Sequence, residues 1–243
     1  LDKRIFPWNH ANCGDLNLSG ERRPQSYLRE TLWSDAPVSH IVVTPPVPSF
    51  PLNPNKADWS VWDFPDVVDH WNFPGYEGKK MTVSVYSNCE QVELFLNGES
   101  LGKQENTADK KNTLVWEVPY AHGILKAVSY NKGGEVGTAT LESAGKVEKI
   151  RLSADRTEIV ADGNDLSYIT LELVDSKGIR NQLAEELVEF SIAGDATIEG
   201  VGNANPMSIE SFVANSRKTW RGSNLLVVRS GKSSGRIIVT AKV

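Results

Sequence analysis

Several short constellations in this sequence have residue types that chemistry uses. Gly-Lys-Ser-Ser-Gly at 231–235 fits the GxSxG pattern, in which a serine raised on a sharp strand-to-helix turn attacks an acyl carbon. The flanking segments LLVVRS and RIIVTAKV both read as strands, so a hairpin loop is expected, where Gly and Ser need no catalytic reason. Asp162, Asn164 and Asp165 in ADGNDLS cluster oxygen ligands of the kind calcium takes. They lack the twelve-residue plan and closing Glu of an EF-hand, and an Asx-rich turn is expected instead. His10, His40, His70 and His122 show no HxxxH spacing, so no metal site is expected. Cys13 and Cys89 form no CxxC pair and are expected as free, buried thiols. The 31 acidic residues include no pair in a motif that marks a raised pKa, so no catalytic residue and no cofactor is assigned. The aromatic set Trp59, Trp62, Trp71 and Tyr76 offers flat faces that stack on sugar rings or pack beneath a neighbouring domain. Packing is the expectation, because large aromatics dominate interface cores as readily as binding platforms.

The elements that would position these groups are strands. At 243 residues, with 40% apolar residues, the chain is long for one sandwich and natural for two domains with real cores. A net charge of −5, with no basic run, argues against a nucleic-acid or membrane surface. No apolar run approaches the length that spans a bilayer. From Lys80 the segments MTVSVYSN, QVELFLN, ESLGKQ, TLVWEVPY, GILKAVSYN and EVGTATLESA alternate and close on turn residues, as one small sandwich would. A second series follows: KIRLSAD, EIVAD, LSYITLELVD, LVEFSIAG, ATIEGVG, SIESFVA, NLLVVRS and RIIVTAKV. Their spacing is that of an immunoglobulin-like sandwich. The fold class expected is all-β, with two consecutive sandwiches. Residues 37–78 before them are Pro-rich and Trp-rich and read as loop and edge around a short strand at Ile41 to Thr44.

One hairpin can be specified. Asn97-Gly98 suits a type I′ turn, which places Leu96 opposite Glu99 and Leu94 opposite Leu101, with Val92, Leu94 and Leu96 on the core side. The opening of the chain is different. In GDLNLSGERRPQSYLRETLW, Leu16 and Leu18 alternate as in a strand, and Pro24 then starts a helix running to about Trp33. Tyr27, Leu28 and Leu32 make its apolar stripe. One helix with one stripe needs a partner. The first residues, LDKRIFPW, have neither an initiator Met nor a signal-peptide plan, so the chain reads as cut from something longer.

The run HWNFPGYEGKKMTVSVYSNCEQVELFLNGESLG, residues 70–102, resembles the sandwich that follows the catalytic barrel in bacterial family 2 glycoside hydrolases of the β-galactosidase type. FPW, then CGDLNL and RRPQSYLRETLW, resemble the close of that barrel, its eighth strand and last helix. IVADGNDLSYITLELVDSKG at 159–178, VGNANP at 201–206 and LLVVRS at 225–230 are similar to the C-terminal immunoglobulin-like domain. The family usually has Gly-Asn-Gly-Asp-Pro where Gly202-Asn203-Ala204-Asn205-Pro206 stands, and tends to have Asp where Asn17 stands. The resemblance implies three parts: 1–36, a remnant of the (β/α)8 barrel; 37–145, an immunoglobulin-like sandwich with a Pro/Trp-rich arm; and 146–243, a second such sandwich.

The resemblance also implies retaining hydrolysis of a terminal β-galactoside by two glutamates, the acid following an Asn. This chain contains no Asn-Glu dipeptide, and the barrel strands that bear the pair precede Leu1, so none is transferred. The reading is a non-catalytic portion that buttresses the barrel of the same polypeptide or mediates oligomer contacts, with no nucleic-acid or membrane partner. The second reading is a carbohydrate-binding or adhesion module, for which Trp59, Trp62, Trp71 and Tyr76 are the glycan-binding candidates. The resemblance implies a periplasmic or secreted location. In the first reading the Trp-rich arm is expected to lie along the barrel, with Trp71 nearest the domain junction.

Overall fold

Alternation of apolar and polar residues builds most of the molecule. The computed structural model describes residues 6–9, 14–51 and 65–243. Among them two compact units separate, one containing 14–16 and Arg22–Ser143, the other 6–9, Asn17–Glu21 and Ala144–Val243.

The first unit holds β1 (Ser39–Val43), β2 (Lys80–Ser87), β3 (Gln91–Leu96), β4 (Glu99–Glu105), β5 (Thr113–Pro119), β6 (Ile124–Asn131) and β7 (Gly134–Glu142). They pair antiparallel as a sheet β1-β2-β5 and a sheet β4-β3-β6-β7. Ile41, Val43, Val83, Val85, Leu114 and Val118 of one sheet meet Val92, Leu94, Leu125 and Ala127 of the other in a single buried core. Each such Val, Leu or Ile side chain contributes roughly 1.5–3 kcal/mol by leaving water.

The Asn97-Gly98 turn forms as expected, with φ of 51° and 88°, and Leu96 pairs with Glu99. The register then shifts: Phe95 faces Ser100 but Glu93 faces Lys103, so Leu101 and Gly102 together oppose Leu94. This is a bulge, and Gly102 supplies the φ of 100° that it requires. Leu101 still packs on the core.

The N-terminal segment departs from expectation. Leu16 makes only a single bridging pair, with Arg22, because Asn17 turns the chain: its Oδ1 accepts the N–H groups of Ser19 and Glu21. A 3-10 turn at Pro24–Ser26 leads into α1 (Tyr27–Trp33), with Pro in the first turn as read from the sequence. Tyr27 and Leu28 pack on Val42, Val67 and Tyr86, on the outer side of the β1–β2 pair. Two of the three stripe residues therefore have their partner within this unit. Leu32 and Trp33 remain 63% and 77% exposed.

The second unit holds β8 (Lys149–Ala154), β9 (Leu166–Val174), β10 (Leu187–Ala193), β11 (Ala196–Gly202), β12 (Ser216–Lys218), β13 (Ser223–Ser230) and β14 (Ile238–Lys242). The sheets are β12-β10-β14 and β11-β13-β9-β8, again antiparallel. Ile169, Leu171, Leu173, Val188, Phe190, Val201, Leu226 and Val228 form the core between them.

Two expected strands are not strands. In EIVAD the N–H of Val160 goes to the Asp165 carboxylate rather than to a ladder, and the side chain stays exposed. In SIESFVA, Ile209 and Val213 are exposed, and the Phe212 carbonyl accepts one bond from Val201. That loop wraps Arg217 of β12, a fully buried side chain whose guanidinium donates to the carbonyls of Val201 and Glu210 and to Ser208 Oγ. It also lies over the Phe212 ring at 4.3 Å. A buried cation of this kind recruits surrounding carbonyls, and that requirement displaces strand pairing.

Candidate functional site

Of the described aromatic candidates, Trp71 offers no face for stacking. Trp71 has no exposed surface, and its Nε1–H donates to the Ala121 carbonyl at 2.8 Å. Its ring stands edge-on to Phe73 and Tyr120, with centroids 5.9 and 5.0 Å away. This residue belongs to the core of its own sandwich, which corrects the expectation that it packs outward along another domain. Tyr76 is half-buried against the same core, and Lys79 Nζ covers its ring at 4.6 Å. Trp59 and Trp62 lie outside the described residues.

The other motifs settle into turns. Gly-Lys-Ser-Ser-Gly joins β13 to β14 as a loop in which the N–H groups of Gly231 and Ser233 bind the carbonyl and carboxylate of Asp195. The Asp162 carboxylate accepts the N–H groups of Asn164 and Asp165, while Asp165 accepts from Val160 and Arg156. These oxygens close their own turn, the use an Asx-rich segment makes of them. Cys89 is buried with a free thiol; Cys13 lies outside the described residues. Asn203 is buried and structural, donating to the Lys218 carbonyl and accepting from the Asn205 N–H.

A groove on the second unit brings polar and aromatic groups together. Because Ile169 and Leu171 of β9 face the core, Tyr168 and Thr170 must point to the opposite side of the sheet. Pairing sets their neighbours: Thr170 lies between Ser153 of β8 and Leu225 of β13, and Tyr168 lies beside Asp155. The turn Leu18–Ser19–Gly20 closes one side. That turn is fastened to the sandwich through Glu21, whose Oε1 accepts from Arg180 Nη1 at 2.8 Å and from Ser223 Oγ at 3.2 Å. Its Oε2 accepts from Asn17 Nδ2 at 3.0 Å. Burial pushes the Glu21 carboxyl up, but the Arg180 charge and these hydrogen bonds outweigh it and hold the group below the usual carboxylate range.

Tyr168 is 42% exposed. Asp155 Oδ1 accepts the N–H of Tyr168 and the Ser167 hydroxyl, and among the described residues Oδ2 has only the Arg156 guanidinium, at 3.9 Å. Burial would raise this carboxyl as well, yet the backbone donors, Ser167 and Arg156 hold it low, so it is an ionised acceptor at neutral pH. Sequence alternation around Ile169 and Leu171 could have marked Tyr168 as outward-facing. The wall from residues 18–20 had no such signal.

Among the described residues no group of His, Cys, Asp and Glu side chains could hold a metal ion. No helix among them is long and apolar enough to cross a membrane.

Residues 150–243 match the model of the glycoside hydrolase family 2 C-terminal domain 5, and residues 78–137 match a domain of unknown function, DUF4982. The chain corresponds to a C-terminal part of a glycoside hydrolase family 2 protein. It is 31% identical over 237 residues to beta-galactosidase BoGH2A of Bacteroides ovatus, covering 97% of this chain and 24% of that protein. A beta-glucuronidase of Formosa agariphila is 31% identical over 194 residues, which is 77% of this chain and 19% of that one. A solved family 2 member from Bacteroides cellulosilyticus superimposes with a TM-score of 0.97 at 99% identity, covering 100% of this chain and 31% of that one. The chain thus spans a quarter or less of the curated relatives' length, and it corresponds to a non-catalytic portion of family 2.

Proposed function

We propose that this chain is the C-terminal support of a retaining β-galactosidase-type enzyme whose catalytic barrel lies earlier in the same polypeptide. The observation that carries the reading is the match to family 2 relatives over nearly all of this chain but only 24% of BoGH2A. In this reading residues 1–36 finish the barrel, and 37–145 and 146–243 are the two sandwiches. Exposed Leu16, Leu32 and Trp33, left over after α1 has packed on its own sheet, form the face that the barrel covers. Large apolar side chains left exposed suit burial at a domain contact. The enzyme acts in the periplasm or outside the cell.

The purified chain is expected to leave a chromogenic β-galactoside at the buffer rate, while the longer polypeptide turns it over. Turnover by the chain that survives further purification overturns the proposal. So does a longer polypeptide with no glycosidase activity.

A further inference from the structure

We propose that the groove over β8, β9 and β13 is a saccharide-binding site, in which the Tyr168 ring stacks on a neutral sugar and Ser153, Thr170, Ser19 and Asp155 hydrogen-bond its hydroxyls. Sugar rings present an apolar face of C–H groups and an equatorial rim of hydroxyls. A site for them therefore needs a flat aromatic surface flanked by short donors and acceptors. The groove has that combination. Among the described residues nothing engages the hydroxyls of Tyr168, Ser153 or Thr170, so these groups remain available. The Asp155 carboxylate is fixed by the Tyr168 N–H and Ser167, which aims its second oxygen without further ordering.

Rigidity strengthens the case. Tyr168 pairs with Val227 of β13 and exchanges backbone N–H bonds with Asp155 on its other side, and the opposite wall is pinned by the Glu21–Arg180 ion pair and by Asn17. A pre-ordered site gives up little side-chain freedom on binding, which matters for ligands as weakly held as sugars.

Charge selects the ligand class. Among the described residues the only ionised side chain in the lining is Asp155. The nearby cations are already paired: Arg156 with Asp165 and, at 3.9 Å, with Asp155 itself, Arg151 with Glu172 and Arg180 with Glu21. A uronate would meet a carboxylate with no free cation to offset it, so the ligand is a neutral saccharide.

The test measures binding directly and so does not depend on where the catalytic barrel lies. The chain is titrated by calorimetry and by saturation-transfer NMR with β-linked galacto-oligosaccharides and with matched glucuronate-containing oligosaccharides. Saturable binding of the neutral series in the millimolar range is expected, with the uronates at least several-fold weaker. Tyr168→Ala should weaken binding more than tenfold and Tyr168→Phe less than threefold, since the ring face rather than the hydroxyl makes the stack. Ser153→Arg, which crowds the groove from the neighbouring strand, provides a second variant if Tyr168→Ala folds poorly. The proposal is overturned by the absence of saturable binding at tens of millimolar. It is equally overturned by binding that survives both Tyr168→Ala and Ser153→Arg, or by uronates binding better than neutral sugars.

Discussion

Replacing Trp71 by Ala tests whether this residue is core or platform. The side chain has no exposed surface, donates to the Ala121 carbonyl at 2.8 Å and meets two aromatic edges. Truncating a buried Trp costs about 3–5 kcal/mol, through lost transfer energy and the cavity left behind. Leaving the Ala121 carbonyl unpaired places the expected loss at the upper end of that range. Against a total of roughly 5–15 kcal/mol for a domain, the first sandwich becomes marginal. Its midpoint should fall by more than about 12 °C, since each kcal/mol shifts a domain of this size by about 4 °C or more. Trp71→Phe keeps most of the apolar volume and loses the N–H donor, so it should cost about 1–3 kcal/mol. The assay is differential scanning calorimetry of the chain, with the two units followed as separate transitions where they resolve. A Trp71→Ala variant that melts within about 3 °C of the parent would refute the packing argument and return this residue to the surface candidates.

Two further outcomes follow from local geometry. Gly222 has φ of +70°, and a Cβ there would lie 2.3 Å from the Asn181 carbonyl oxygen, so Gly222→Ala should destabilise the second unit by about 2 kcal/mol or more, read as a lower urea midpoint. The Glu21 carboxyl is held below its ordinary value, so its ion pair with Arg180 stabilises the 17–21 turn fully above about pH 4.5 and loses that contribution as pH falls through the lowered value. Hydrogen-exchange protection of the Ser19 and Glu21 amides should therefore drop on acidification in the parent, and should already be low at neutral pH in Glu21→Gln.

Sequence alone determined the elements whose signal is local. Alternation marked nearly every strand, because one buried face imposes a period of two on the residues themselves. The Asn97-Gly98 turn and Pro24 at the start of the helix were legible for the same reason: each depends on the backbone preferences of one or two residues. EIVAD and SIESFVA have the same alternation but no facing sheet, and a pattern does not reveal whether a partner exists. The bulge at Gly102 was hidden because pairing, not composition, sets register. Family resemblance was legible over most of the chain, while the fate of its aromatics was not. Only the tertiary structure placed Trp71 inside, since burial depends on which strands face each other. It alone also brought Glu21 to Arg180 and Ser223, joining groups 159 and 202 positions apart. Contacts of that separation leave no local trace in a single chain, because the energy that selects them arises only when the whole sandwich has closed.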